Sequence, residues 1–298
     1  MKTFARFPRS GVSALSRRRH FTNSRTTNFY FSFLFLPAEK RRAIEAVYAF
    51  ARRGDDAVDA ARSATEAARQ LDRYRRDLDI CYEDQNSSLG GGWPVELQAL
   101  REAIRLFRIP RCHFDELIHG FEMDLNGTRY GTVDELSLYC YRVASTIGLI
   151  AIEIFGYQNP RTRDYAINLG MALQFVNILR DLGSDARRGR VYIPRDDLRR
   201  FQVPAEALLE GHPSGHLNDL IAFEAGRARN YFKCARKALS AEDRRSMLPA
   251  EIMAAIYWRL LGRITRGDYN VFRERAALSR PLKLWTALSV YLGAEWFR

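Results

Sequence analysis

Four polar side chains recur at steps of three and four residues within a stretch that is otherwise apolar. They are Gln174, Asn177, Asp181 and Asp185, and most residues between them are large and hydrophobic. An α-helix with about 3.6 residues per turn places all four along one stripe. A surface helix should instead have a whole polar face. The pattern therefore predicts either a helix that lines an internal charged cavity or a helix end whose carboxylates reach solvent.

A second stripe of the same kind lies far upstream and also ends in two aspartates four residues apart. Tyr48, Arg52, Asp55 and Asp59 share one face of a predicted helix. Carboxylates at this spacing lie about 6 Å apart along the axis, and their repulsion at a dielectric of about 20 is about 3 kcal/mol. Two such pairs in one cavity need cations. Oxygen ligands with room for water and phosphate oxygens suit Mg²⁺ rather than zinc, so the pairs predict a magnesium–diphosphate site.

Longer motifs surround these aspartates and carry a family resemblance. Residues 28–37 and 48–59 resemble the first signature of squalene and phytoene synthases, and residues 172–194 resemble the second. Shorter matches occur at residues 123–125 and 139–144. Because the two signatures occur together and in order, the chain is identified as a member of this family from about Arg25 to Trp285.

The resemblance implies a fold and a reaction. The expected fold is all-α: a single-domain helical bundle of the isoprenoid synthase type around a central cavity, formed by residues 25–298. The sequence of residues 163–170 is most similar to bacterial presqualene diphosphate synthases of hopanoid pathways. The implied activity is therefore head-to-head (1′–1) condensation of two farnesyl diphosphates to presqualene diphosphate, with onward conversion to squalene as the extended reaction. Mg²⁺ is the expected ion, with Mn²⁺ as the alternative, and NADPH is not expected.

The residue pattern and the resemblance together assign roles to individual side chains. Expected metal ligands share oxygen donors on the two stripes: Asp55, Asp59, Asn177, Asp181 and Asp185. The expected catalytic residues are the four aspartates with two aromatic residues that the resemblance singles out, Tyr139 and Tyr192. The remaining expected contacts are to substrate: Thr26, Asn28, Arg52, Gln174, Asn177, Arg180, Arg190 and Tyr257.

Composition sets the class of protein. The 298 residues are 47% apolar, which is enough for a large core in one domain. The sequence contains no run of 18 uncharged apolar residues, so no transmembrane helix is predicted. The four cysteines are widely spaced, which favours free thiols in a reducing compartment and hence a cytoplasmic location. The five histidines form no ligand cluster, so zinc is not expected.

The net charge of +12 is concentrated at the N-terminus. Seven basic residues precede the first acid, Glu39, and residues 1–24 are predicted to be a basic, disordered tail. The rest of the chain alternates acids with bases, which argues against a nucleic-acid partner. Attraction to a diphosphate substrate and to anionic lipid on the inner face of the membrane explains the charge instead.

Three alternatives remain open at the level of sequence. A phytoene or dehydrosqualene synthase would differ in chain length or in the fate of the cyclopropane. A non-catalytic relative that acts as a mitochondrial assembly factor would fit the basic N-terminus but has no use for four motif aspartates. A helical membrane-binding or nucleic-acid-binding protein would explain the tail but not the internal acidic stripes.

Overall fold

The computed structural model describes residues 28–59, 63–83, 94–125, 127, 129–211, 216–266, 271–272 and 275–297, without the side chains of Phe29, Asp59 and Ala64. Within these ranges every regular element is helical and no strand occurs. The predicted all-α class is therefore confirmed. In chain order the helices are α1 (Asn28–Phe33), α2 (Ala38–Asp59), α3 (Ala64–Tyr82), α4 (Val95–Phe107), α5 (Arg111–Leu125), α6 (Val133–Cys140), α7 (Thr146–Phe155), α8 (Thr162–Arg187), α9 (Arg195–Arg200), α10 (Ala205–Leu209), α11 (Leu217–Ala238), α12 (Leu248–Ile264) and α13 (Arg280–Tyr291).

Helix α8 is the centre of the bundle. It packs along α11 and also contacts α6, α7 and α12. Its apolar residues Phe175, Val176 and Leu179 are buried on all sides, as expected for a helix that has no wet face. The polar stripe of α8 lies beside these buried residues, and its four members are only half-buried.

A π-helical turn, Tyr141–Ser145, separates α6 from α7. The α6 start is capped as the sequence predicts, because the Thr132 hydroxyl oxygen accepts a hydrogen bond of 3.3 Å from the Glu135 backbone N–H. The π turn faces Gly170 of α8, where a Cβ atom would lie 2.5 Å from the Ser145 Cα. Gly170 thus lets α8 approach the π-helical turn closely. This turn follows Tyr139 in the chain.

The stretch Val133–Phe155 is long and apolar enough, by length and composition alone, to cross a membrane, with a mean hydropathy of 1.5 in its most apolar window. Half of that window is buried inside the bundle. Its packing against α5 and α8 is that of a core element. The sequence did not predict this stretch as a span, because charged side chains such as Glu153 interrupt it.

Two parts of the sequence prediction lie outside the described residues. These are the basic tail at residues 1–24 and Thr26. Helix α3 is described from Ala64, and the Ser63 hydroxyl caps it by accepting a 3.2 Å hydrogen bond from the Glu66 N–H. Helix α5 extends to Leu125, and its last turn includes Asp124.

Candidate active site

A cavity of about 810 Å³ opens between α2, α5, α6, α8 and α12, and the segment at residues 275–283 forms part of its wall. The cavity brings together twelve of the residues that the sequence nominated. They are Asn28, Arg52, Asp55, Tyr139, Gln174, Asn177, Arg180, Asp181, Asp185, Arg190, Tyr192 and Tyr257. Thr26 lies outside the described residues, and Asp59 is described only as the last residue of α2.

The cavity wall changes from charged to apolar along the helices that form it. On α5 the lining residues are Asp124, near the C-terminus of the helix, and Phe121 and Leu117 on the preceding turns. On α8 the acids Asp181 and Asp185 follow the apolar Ile178. The cavity therefore combines a charged end with a hydrocarbon-lined part, a division that suits an amphiphilic ligand.

Asp181 is held between two arginines. Its carboxylate accepts a 3.0 Å hydrogen bond from Arg180 Nε and a 3.1 Å hydrogen bond from Arg275 Nη2. Asp181 and Arg180 are only 17% and 14% exposed, so this pair is shielded from solvent. Burial by itself would raise the pKa of Asp181, but the hydrogen bonds from Arg180 and Arg275 outweigh it and lower the pKa below its ordinary value.

Asp185 has the opposite electrostatic environment. Burial and the nearby charge of Asp181 raise the pKa of Asp185 to about 7, although Arg188 and Arg190 oppose the shift. The two acids of α8 therefore differ: one is neutralised by arginine, and the other lacks enough positive charge to be fully ionised at neutral pH. A cation placed near Asp185 would remove this cost.

The acids of α2 lie at the rim of the cavity. The carboxylate of Asp55 is 46% exposed and forms a 3.2 Å ion pair with Arg52, which also pairs with Asp56 at 2.8 Å. Surface pairs of this kind contribute little to stability because water screens them. Asp55 of the first motif and both aspartates of the second thus line one cavity, and Asp55 is more exposed than Asp181.

Asp124 joins the two predicted tyrosines. Its carboxylate oxygens accept hydrogen bonds from the hydroxyls of Tyr139 at 2.9 Å and Tyr192 at 2.8 Å. The tyrosine rings stack with centroids 5.3 Å apart. Burial, together with the charge of Asp124, raises the pKa of both phenols, so both stay protonated and donate to the carboxylate. This arrangement fixes both rings at the cavity wall.

Sequence reasoning missed four of the charged residues at the cavity wall as site residues: Asp124, Arg188, Arg275 and Lys283. Asp124 appeared only as part of a short motif match, although its place near the end of a helix before Tyr139 was the available signal. Arg275 and Lys283 lie beyond the second signature and belong to no spacing pattern. Burial and neighbouring arginines lower the pKa of Lys283, because several positively charged side chains lie close together at this wall of the cavity.

The cavity contains oxygen donors of the type that hard cations bind. Within the described part of the chain no three His, Cys, Asp or Glu side chains converge on one point, and Asp55 and Asp181 are paired with arginines. The side-chain oxygen of Asn177 is nevertheless buried and accepts no hydrogen bond, while its Nδ2 donates to Gln174 at 3.2 Å. An orphaned oxygen beside two carboxylates is a suitable ligand for a hard cation. The residues present therefore fit Mg²⁺, provided that the arginine contacts of Asp181 rearrange.

Fold and site define a class of helical protein with a charged cavity for an amphiphilic diphosphate, and comparison with known proteins gives the family. The sequence profile of squalene/phytoene synthases matches residues 22–281, and the chain belongs to this family. It is 35% identical over 292 residues to the 15-cis-phytoene synthase of Synechocystis sp., covering 94% of this chain and 83% of that one.

Solved structures agree with the family. A dehydrosqualene synthase in complex with ligand is similar with a TM-score of 0.78 and 26% identity, covering 93% of this chain and 95% of that chain. A squalene synthase from Alicyclobacillus acidocaldarius is similar with a TM-score of 0.68 and 25% identity, covering 84% and 93%. The fold is therefore the all-α isoprenoid synthase bundle, and the family is of the prenyltransferase type that condenses prenyl diphosphates head to head.

Proposed function

We propose that this protein condenses two farnesyl diphosphates head to head to give presqualene diphosphate. The observation that carries the proposal is the division of the cavity into a charged end, with Asp181, Asp185 and Arg180, and walls lined by Phe121 and Ile178. A prenyl diphosphate has the same division into an anionic head and a hydrocarbon chain. Each half of the cavity then meets its chemical complement.

The diphosphate groups are held at the charged end. Arg52, Arg180 and Arg190 supply planar guanidinium groups, which bind phosphate oxygens through paired hydrogen bonds. Arg180 now donates to Asp181, so a bound diphosphate would compete with that carboxylate for the same donors. Asn28 and Gln174 offer amide contacts at the same wall.

The oxygen donors Asp55, Asp59, Asn177, Asp181 and Asp185 would hold Mg²⁺, with Mn²⁺ as the alternative ion. Bound Mg²⁺ would neutralise the diphosphate and make it a better leaving group. The raised pKa of Asp185 and the orphaned oxygen of Asn177 support this assignment, because both carry an electrostatic or hydrogen-bonding cost that a cation relieves. We propose this metal-ligand role for each of the five residues.

In the reaction, the C1–O bond of one substrate breaks and releases its diphosphate. The C2–C3 double bond of the second substrate attacks the resulting C1 cation, and loss of a proton closes the cyclopropane while the second diphosphate stays attached. Tyr139 and Tyr192 present aromatic faces that stabilise a cation without reacting with it. Asp124 positions both rings through the hydroxyl hydrogen bonds, and Tyr257 extends the aromatic wall.

The choice of farnesyl diphosphate rests on residues 163–170, whose sequence resembles that of bacterial presqualene diphosphate synthases. The similar solved structures named as dehydrosqualene synthase and squalene synthase support the same choice. A second candidate is phytoene synthesis from two geranylgeranyl diphosphates. The phytoene synthase of Synechocystis sp., 35% identical to this chain, favours it. A non-catalytic assembly factor is disfavoured, because such a protein has no use for the acids and arginines gathered in the cavity.

Purified protein should be incubated with Mg²⁺ and either farnesyl or geranylgeranyl diphosphate, followed by product identification. The proposal expects farnesyl diphosphate to be converted to presqualene diphosphate, and added NADPH to leave the product unchanged. Phytoene from geranylgeranyl diphosphate, with farnesyl diphosphate unused, would establish the second candidate. Consumption of neither substrate would leave the non-catalytic alternative.

A further inference from the structure

Helix α13 has one buried face and one exposed apolar face. Thr286, Ala287 and Val290 are buried where α13 packs on α12 and α1. The opposite side carries large apolar side chains that are 41% to 74% exposed, which we call the α13 apolar face: Leu284, Trp285, Leu288, Tyr291 and Leu292. Their spacing of one, three, three and one residues forms a continuous stripe on the helix. A contiguous apolar face of this kind on a surface helix marks an interaction site.

The charged residues of α13 itself are both basic, Arg280 and Lys283, and the first acid after them in the chain is Glu295. Arg280 is exposed, whereas Lys283 lines the cavity and Arg275, before the helix, pairs with Asp181. A helix with tryptophan, tyrosine and leucine on one face, bordered by basic residues, has the composition of helices that lie in the membrane interface. Tryptophan and tyrosine rings are amphipathic and prefer the headgroup level of a bilayer.

We propose that the α13 apolar face docks onto a lipid surface that contains anionic headgroups. Charge selects this occupant over two others. A second copy of the chain would bring another +12 protein with the same basic border to this face. Residues 1–27 carry seven basic residues and no acid, so they would be repelled as well. Anionic lipid is complementary both to the apolar face and to the basic border.

Docking at this face places the lipid beside the cavity. Lys283 belongs to α13 and lines the cavity, and it precedes Leu284 of the apolar face in the chain. The Lys283 ammonium group lies 5.8 Å from the centroid of the Phe31 ring, so Lys283 also contacts α1. None of the residues of the α13 apolar face lines the cavity, so lipid docking there is independent of the proposed reaction.

The test is co-sedimentation of the full-length protein with vesicles. One set contains equal parts of phosphatidylcholine and phosphatidylglycerol, and the other contains phosphatidylcholine alone. The variant Leu284→Asn/Leu288→Asn should bind the anionic vesicles about tenfold more weakly or worse, because two exposed leucines no longer leave water. The matched control Leu106→Asn/Leu138→Asn changes leucines that are 55% and 47% exposed elsewhere, and it should bind as the wild type does.

The basic border is tested separately. Arg280→Gln should weaken binding to the anionic vesicles about fivefold and leave binding to phosphatidylcholine unchanged. Circular dichroism and the urea midpoint, measured for every variant, ensure that lost binding does not reflect unfolding. Turnover in detergent solution should be the same in all variants, since none of the substituted residues lines the cavity.

Several results would overturn the proposal. The wild type could fail to sediment with anionic vesicles, or the control variant could lose binding equally. A dimer in sedimentation velocity that Leu284→Asn/Leu288→Asn dissociates would identify a second copy as the occupant. Trp285 emission can be obtained as the difference between wild type and Trp285→Phe. If this emission is already that of a buried indole without vesicles, another part of the chain covers the face.

Discussion

Asp181 of α8 and Asp55 of α2 reach one cavity from different surroundings. Asp181 is 17% exposed and accepts hydrogen bonds from two arginines, whereas Asp55 is 46% exposed and pairs with Arg52 at the rim. Both belong to an Asp-x-x-x-Asp motif, so their spacing is the same. The spacing of the acids along a helix determines which face of the helix they occupy. The surrounding elements determine the charge of each acid and how much it contributes to the free energy of unfolding.

The largest expected effect is on turnover. Asp185→Ala, or addition of EDTA to the wild type, should reduce diphosphate release by about a thousandfold or more, because the leaving group would no longer be neutralised. Helical content measured by circular dichroism should stay unchanged. The matched control is Asp56→Ala, since Asp56 is 54% exposed, belongs to the first motif and does not line the cavity. Turnover near normal in Asp185→Ala would refute the metal assignment.

Substitutions in the two motifs should differ in their effect on the free energy of unfolding. Asp181→Ala should lower the free energy of unfolding by about 2 kcal/mol, because the buried Arg180 loses its partner. Asp55→Ala should change it by less than about 1 kcal/mol, because its ion pair is half exposed. Urea unfolding of metal-free protein measures both values. Equal losses in the two variants would show that the difference in depth has no energetic consequence.

A third prediction concerns how Arg275 reaches Asp181. A Cβ on Gly183 would lie 2.7 Å from the Val271 carbonyl oxygen and 2.8 Å from the Phe272 Cα. Gly183→Ala should therefore displace the segment that leads to Arg275 and reduce turnover about tenfold, with a stability loss of about 1 to 3 kcal/mol.

The control for this prediction is another helical glycine. Gly262 of α12 has no atom within 4 Å of a built Cβ, so Gly262→Ala should stabilise the protein by up to about 1 kcal/mol. Steady-state kinetics and urea unfolding measure both variants. Wild-type turnover in Gly183→Ala would mean that the close approach of residues 271–272 does not position the site.

The smallest expected effect on turnover comes from a buried acid–arginine cluster outside the cavity. Arg227 donates to Asp197 at 3.1 Å and to Glu224 at 2.6 Å. Burial, opposed by Arg227, raises the pKa of Glu224 from 4.5 to about 7. The raised pKa contributes stability that is fully present below pH 4.5 and is lost as the pH rises through about 7.

Glu224→Gln should therefore flatten the fall in unfolding free energy between pH 4.5 and pH 7 without changing turnover. Urea unfolding at several pH values measures the slope. A changed turnover would mean that acid–arginine pairs outside the cavity also support the reaction, and the contrast between site and scaffold would fail. An unchanged slope would place the titration elsewhere.

Local sequence was sufficient for the helices and for the two acidic stripes. The bounds of α4 and the cap of α6 follow from periodicity and from the Thr132–Glu135 pair, both of which are local signals. The resemblance added the tyrosines at the cavity wall. These features depend on residues within a few turns of one another, so a single sequence contains them.

The partners of these acids could not be predicted in the same way. Arg275 is 94 residues from Asp181, and the contact depends on how the segment before α13 crosses the end of α8. The hydrogen bond from Tyr192 to Asp124 joins residues 68 positions apart in the chain. Asp124 lies in the short match at residues 123–125, and Tyr192 lies in the second signature. Tertiary packing brings such residues together, and no spacing rule encodes it. The difference in exposure between Asp55 and Asp181 has the same origin.

Product identification tests the central claim most directly. The full-length protein should be supplied with Mg²⁺ and equimolar farnesyl and geranylgeranyl diphosphates, and the products analysed by mass spectrometry and NMR. The account predicts a thirty-carbon cyclopropyl diphosphate in which C1 of one farnesyl unit is bonded to C2 and C3 of the other, and its loss in Asp185→Ala but not in Asp56→Ala. A product joined at other carbons, or release of diphosphate without any new carbon–carbon bond, would contradict it.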